Sequence, residues 1–227
     1  MRRLLPATLL VSAAAIGYEI LLMRMLSIVQ WHHFAYMVIS LALLGYGTSG
    51  TAIALGRRWL EPRFEMAFAA GAFLFSITMV ACWVLAQRVP FNALEVVWNP
   101  RQLLLLGGMY LRFMVPFIFA ATCIGLAFTC GGGRAGRVYL FDLLGAGAGA
   151  VLVIALLFAV QSPQALVLLS ALALCAALIA GRQAVTKLAA VAWAIILMMA
   201  LLSGQLEPRL SEFKGLSRTL QTVGSSV

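Results

Sequence analysis

Charged side chains are scarce in this sequence. Of its 227 residues, 10% are charged and 63% are hydrophobic, with only 7 acidic residues in the whole chain. A soluble domain carries about a quarter of its residues as charges to cover its surface. Apolar runs of about 18 or more residues recur along this chain, long enough to cross a bilayer. The composition therefore excludes an ordinary soluble domain and predicts an all-α, polytopic bundle of transmembrane helices.

Metal-ligating and redox residues are also few. The chain has two histidines and four cysteines, and none of them forms a CxxC or CxxH spacing. This excludes a zinc finger and gives no indication of a disulfide framework. His32 and His33 are adjacent, so they cannot ligate one haem from two helices. We expect no metal, no cofactor and no catalytic residue in this chain, and the cysteines are interpreted as small buried side chains.

The net charge of +9 has two explanations, nucleic-acid binding and membrane orientation. The basic residues sit at the ends of apolar runs rather than along one polar face. This position favours orientation, in which loops rich in Lys and Arg remain in the cytoplasm. We therefore expect the lipid bilayer as a partner and no nucleic acid.

The apolar runs divide the chain into about seven predicted spans and a polar end. The transmembrane domain is assigned to residues 1–203 and an amphipathic tail or connector to 204–227. The first run could also be interpreted as a signal peptide, but it continues through Leu26, which favours an uncleaved span. The predicted spans are 7–26, 34–55, 66–86, one within 103–129, 138–160, 165–180 and 184–202.

Loop charges predict a cytoplasmic N-terminus in a bacterial inner membrane. If the N-terminus is inside, nine basic residues lie in inner loops and only Arg88 and Arg101 lie in outer loops before the tail. Seven spans would place the tail outside, although it carries three basic residues. An eighth crossing or a re-entrant segment near 89–110 would reverse its side. The nine are Arg2, Arg3, Arg57, Arg58, Arg63, Arg134, Arg137, Arg182 and Lys187.

Two glycine patterns resemble dinucleotide-binding fingerprints, GYGTSG at 45–50 and GAGAGA at 145–150. Both lie inside long apolar runs and lack the strand and turn that such a fingerprint requires. Small residues also let membrane helices approach closely. We therefore predict helix packing at Gly45, Gly47, Gly50, Gly145 and Gly149.

Four ionisable residues fall at predicted membrane depth: Glu19, Arg24, Arg112 and Asp142. Charges there are costly, so they are expected to face the bundle interior and to have partners on other helices. Arg112 or His33 is the expected partner of Glu19. Asp142 shares a helical face with Gly145 and Gly149, and its expected partners are Arg134 and Arg137. The alternatives are structural salt bridges between helices and a pathway for substrate or protons.

His33, Ser40 and Gly47 are seven residues apart and form one polar and small stripe on the second span, which Thr51 extends. We expect this stripe to face the bundle core.

Between the fourth and fifth spans, three glycines precede Arg134 and Arg137. This loop is either a flexible basic connector or a site for an anionic lipid headgroup.

Several stretches resemble membrane-embedded spermidine-synthase-like proteins. They are YEILLMRMLS at 18–27, WHHFAYMVISLALLGYGTSG at 31–50, VYLFDLLGAGAG at 138–149 and SEFKGLSRTL at 211–220. The family joins a multi-span region to a polyamine-synthase-like, nucleoside-binding Rossmann domain. The resemblance implies that this chain is the membrane region of such a protein or a stand-alone relative. It contains no soluble Rossmann unit and no acidic aminopropyl-transfer site.

Three functions remain open at this point. The chain is the membrane domain that anchors or serves a synthase-like domain or partner. Alternatively it is a small transporter or channel for a cation or amine, as Glu19, Asp142 and the polar stripe suggest. A third alternative is an accessory subunit of a larger membrane complex.

Overall fold

The computed structural model describes residues 3–29, 33–91, 95, 98–181, 184–204 and 206, with the backbone alone at 33–35, 132 and 184–186. Within these residues the chain is helical and contains no strand. The helices are α1 (Leu4–Val29), α2 (His33–Leu60), α3 (Phe64–Ala86), α4 (Pro100–Cys130), α5 (Ala135–Ala159), α6 (Ser162–Ala180) and α7 (Ala184–Leu202). Short 3-10 turns, Glu61–Arg63 and Gly132–Arg134, precede α3 and α5.

Local signals set several helix ends. Asn99 caps α4, where its side chain accepts a hydrogen bond from the Arg101 N–H at 3.1 Å, and proline occupies the first turn. The helix α6 begins directly after Gln161, which is its N-cap. Gln161 and Gln164 form a reciprocal capping box there, and Pro163 is tolerated because it lies in the first turn.

Helices α2, α3 and α4 run in alternating directions, as contacts between them show. Residues 45 and 53 of α2 lie against residues 117 and 125 of α4, so these two helices are parallel. Along α3, Gly71 lies near Phe119 of α4 and Phe68 lies near Cys123, so α3 is antiparallel to α4. The chain therefore turns back between α2 and α3, which pack on either side of α4.

Five segments of the described residues are long and apolar enough to cross a membrane, fewer than the seven predicted. The fold is that of a multi-pass membrane protein. Helices α2 and α3 fall in one continuous segment over 36–86, and α7 is among the shorter apolar helices, over Lys187–Leu202. The five segments are Leu4–Val29, Tyr36–Ala86, Pro100–Cys130, Ala135–Ala159 and Ser162–Ala180.

Aromatic side chains fill the centre of the bundle. The Tyr18 ring of α1 packs edge-on to Phe75 of α3, with centroids 6.3 Å apart, and against Phe117 of α4 at 5.4 Å. All three side chains are fully buried. By contrast, α5 is the least buried of the five candidate segments and touches the bundle mainly through α1.

The bundle has two chemically different ends. We call the end at the start of α1 and at the α2–α3 and α4–α5 connections the basic end, because its exposed side chains include Arg3, Arg57, Arg58, Arg63, Arg134, Arg137 and Lys187. At the opposite end, α1 and α3 finish and α4 begins. Its described basic residues are Arg88 and Arg101, both exposed.

Candidate functional site

Asp142 is held by a serine that the sequence did not single out. The Ser12 hydroxyl of α1 donates a short hydrogen bond to Asp142 Oδ1 on α5. The approach is possible because Gly145 and Gly149 lie against the α1 backbone at Leu9 and Ala13. Any side chain at these glycines would separate the two helices and break the Ser12–Asp142 contact.

Glu19 lies on the same face of α1 as Ser12. The seven-residue spacing rotates by about 700°, which returns almost to the same side of the helix. Glu19 and Asp142 are both half-buried, and α2 and α5 both pack against α1. We call Ser12, Glu19 and Asp142, which lie on α1 and on the face of α5 that meets it, the acidic cleft.

The expected cationic partners are not in the acidic cleft. Arg24 and Arg112 are exposed, and among the described residues no arginine forms an ion pair with Glu19 or Asp142. The prediction that Arg24 and Arg112 face the bundle interior is therefore wrong. Arg112 belongs to α4, which packs chiefly against α2 and α3. The His33 side chain lies outside the described residues, so its predicted pairing stays untested.

The polar stripe of α2 faces away from the bundle, against expectation. Ser40, Gly47 and Thr51 are exposed. Larger apolar residues on the other side of α2 fill the space against α4 and α1. The inward positions are Met37, Val38, Leu41, Ala42, Gly45, Ser49 and Ile53. Ser49 is the polar exception, and its hydroxyl lies 3.1 Å from the Thr122 hydroxyl of α4.

The five glycines chosen from the sequence divide into two groups. A Cβ at Gly45 would lie 2.7 Å from the Phe117 Cβ, and Gly145 and Gly149 contact α1 even more closely. No described atom lies within 4 Å of a Cβ built at Gly47 or Gly50. The first three glycines are packing positions within the bundle, and the other two face its exterior.

Sequence reasoning missed a buried hydrogen-bond cluster that joins three helices. The hydroxyls of Ser76 on α3 and Ser170 on α6 lie 2.8 Å apart, and the Trp193 indole N–H of α7 donates to the Ser76 hydroxyl at 3.0 Å. Each serine hydroxyl also reaches the other residue's carbonyl oxygen. A lone serine in an apolar run gives no sequence signal for this role, because its partners lie 94 and 117 residues away.

The start of the predicted tail packs against α3. The Trp83 indole N–H donates to the Leu206 carbonyl oxygen at 3.1 Å, and the Leu206 side chain is buried. Trp193 contacts Ser76, and Leu206, which comes later in the chain, contacts Trp83 further along α3. Helix α7 therefore runs parallel to α3. The chain therefore leaves α7 at the end opposite the basic end. The tail beyond Leu206 lies outside the described residues.

These features define a multi-pass helical membrane protein with two carboxylates at membrane depth beside hydroxyl groups. Each of these carboxylates can bind a proton or a small cation. Among the described residues, no group of three or more His, Cys, Asp or Glu side chains is placed to hold a metal ion. No family model, no curated protein and no solved structure matches the chain.

Proposed function

We propose that this chain is the membrane domain of a spermidine-synthase-like protein, with seven crossings and a cytoplasmic N-terminus. It holds a synthase-like domain or partner at the end opposite the basic end and performs no bond-making step itself. The observation that carries the proposal is the hydrogen bond from Trp83 to Leu206. This hydrogen bond supports the proposal because it anchors the chain at Leu206, and the stretch at 211–220 that resembles the family's connector follows in the sequence.

Helix lengths support seven crossings. As one straight helix, the segment over 36–86 would span about 77 Å, against a hydrocarbon core of about 30 Å. The two halves of this segment, α2 and α3, both pack on α4 and run antiparallel to each other, so they account for two crossings. The 19 residues of α7 reach about 28 Å, close to the core thickness. An odd number of crossings separates the tail from the N-terminus.

This topology restricts what an attached domain does. The basic end faces the cytoplasm under the positive-inside rule, so the connector emerges on the other side of the membrane. A spermidine synthase needs a decarboxylated nucleoside donor from the cytoplasm. The proposal therefore assigns to the attached domain a reaction that does not use this donor.

The full natural gene product and its stable complexes test the proposal. We expect affinity purification of the natural protein, followed by mass spectrometry, to recover a synthase-like Rossmann domain on the same chain or as a stoichiometric partner. A Trp83→Phe variant should loosen the connector and raise its protease sensitivity, whereas Trp59→Phe, at the exposed basic end, should not. Recovery of the chain with no synthase-like domain would overturn the proposal.

A transporter for a cation or amine is the second candidate, and the acidic cleft favours it. Glu19 and Asp142 have no cationic partner among the described residues, so a transported cation would neutralise them. Spermidine uptake into proteoliposomes should then fall at least tenfold in Glu19→Gln and persist in Glu65→Gln, which removes the same charge at the exposed start of α3. Equal uptake by both variants would exclude transport through the cleft.

A further inference from the structure

Contacts between helices define one level that can be traced through five of them. The Tyr18 ring of α1 packs on Phe75 of α3 and on Phe117 of α4. A Cβ at Gly45 of α2 would also meet Phe117. On α6 the same level is at Ser170, whose hydroxyl lies 2.8 Å from that of the residue after Phe75. We call this the aromatic level, and positions along each helix are measured from it at about 1.5 Å per residue.

Helix α6 shows where the lipid core ends. Its 19 residues, Ser162–Ala180, carry no charge and span about 28 Å, close to the hydrocarbon thickness of about 30 Å. The helix begins eight residues before Ser170, on the side of the end opposite the basic end. The lipid core therefore ends about 12 Å from the aromatic level on that side.

Charged and aromatic side chains on three other helices lie near the same height. Arg24 of α1 and Arg112 of α4, both exposed, lie about 9 and 8 Å from the aromatic level toward the opposite end. Tyr36 of α2 and Tyr110 of α4 lie about 14 and 11 Å from it. Exposed arginines are costly within the lipid core, and tyrosine is enriched where the core meets the headgroups. Trp59, exposed at the other end of α2, is about 35 Å from Tyr36, which fits side chains in the two headgroup layers.

Helix α4 extends well beyond this height. It has 31 residues and starts 17 residues before Phe117, about 25 Å from the aromatic level. Its last residue, Cys130, lies about 20 Å from that level, as does the first residue of α1, so the extra length is at the opposite end. The start of α4 therefore stands about 13 Å above the end of α6, whereas a headgroup layer is about 5–7 Å thick.

We propose that the first turns of α4, residues 100–109, project above the bilayer surface, and that Arg24 and Arg112 lie among the lipid headgroups at the base of this projection. Guanidinium groups bind phosphate oxygens in pairs, so the headgroup layer provides both arginines with anionic partners. The projection places the exposed side chains of Leu103 and Leu104 outside the lipid core, although their apolar run was assigned to a membrane span. This inference does not depend on the attached domain or on transport through the acidic cleft.

Thiol labelling of the purified full chain in lipid nanodiscs, which expose both membrane faces, tests the projection. In a variant without the four native cysteines, Leu104→Cys should react with a water-soluble maleimide at least tenfold faster than Leu43→Cys, because a thiolate forms readily only in contact with water. Leu43 of α2 is the matched control. It is a leucine of similar exposure, 68% against 78%, but lies about 3 Å from the aromatic level, inside the lipid core.

A second arm measures depth without relying on thiol reactivity. Nitroxides are attached in detergent to the thiols at 104 and 43, and to those of Arg24→Cys and Arg112→Cys, before transfer to nanodiscs. Electron paramagnetic resonance should show collisions mainly with a water-soluble nickel chelate at 104, mainly with oxygen at 43, and with both relaxants at 24 and 112.

Oxygen-dominated collisions and slow labelling at 104 would place the first turns of α4 among acyl chains and overturn the projection. Fast labelling at 43, equal to that at 104, would overturn the assigned height of the lipid core. Oxygen-dominated collisions at 24 and 112, equal to those at 43, would overturn the placement of the two arginines among the headgroups.

Discussion

Gly149→Ala tests the tight contact between α1 and α5. The added Cβ would lie 2.6 Å from the Ala13 Cα, whereas carbon atoms in contact stay about 3.5–4.0 Å apart. The helices must therefore separate by roughly 1 Å, and overpacking of this kind costs about 1–3 kcal/mol. Replacing glycine inside a helix offsets about 0.5–1 kcal/mol of that cost, since alanine is the better helix former.

Gly147→Ala is the matched control, two residues away on the same helix. No described atom lies within 4 Å of its added Cβ, so only the gain in helix propensity applies. The free energies of unfolding of the two variants should differ by about 1–3 kcal/mol, which is roughly a 5- to 150-fold difference in the unfolding equilibrium constant.

Equilibrium unfolding by SDS titration in mixed micelles, followed by tryptophan fluorescence, measures this difference. Because both variants make the same chemical change, effects on the unfolded state largely cancel. Equal stabilities, or a less stable Gly147→Ala, would refute the assigned contact between α1 and α5.

Two further substitution pairs follow the same logic. Gly45→Ala should lower the thermal stability in detergent because its Cβ meets Phe117, while Gly50→Ala should leave it unchanged or slightly raised; the reverse order would mean that α2 is turned the other way. Ser76→Ala should cost about 1–2 kcal/mol of unfolding free energy because it leaves partners on α6 and α7 unsatisfied. Thr78→Ala on the same helix loses only bonds to its own helix, so an equal loss there would argue against the three-helix cluster.

The helices could be predicted from the sequence because the bounds of each helix depend on the apolar run and the interruptions within its own segment. Each predicted span coincides with a helix to within one residue at its ends or lies inside it. The shared face of Asp142, Gly145 and Gly149 was also predicted, since spacing along one helix is enough to define a face. All three residues lie on the α1 side of α5.

The rotation of each helix about its own axis and the pairing of side chains between helices could not be predicted in the same way. The helical period showed that Ser40 and Gly47 share a face, but not whether that face meets α4 or lipid. In a membrane both environments accept small residues, so polarity gave the wrong answer for α2. The partner of Asp142 was expected among nearby arginines. It is Ser12, 130 residues earlier in the chain, because two glycines bring α1 and α5 together.

Labelling of single cysteines at the two ends of the bundle tests the proposed topology most directly. In a variant without the four native cysteines, Gly133→Cys places a thiol in the exposed α4–α5 connection, and Ser203→Cys places one just after α7. A membrane-impermeant maleimide added to intact cells should label the thiol at 203 and should reach the thiol at 133 only after lysis. Labelling of both positions from the same side of the membrane would contradict seven crossings and the exit of the connector opposite the basic end.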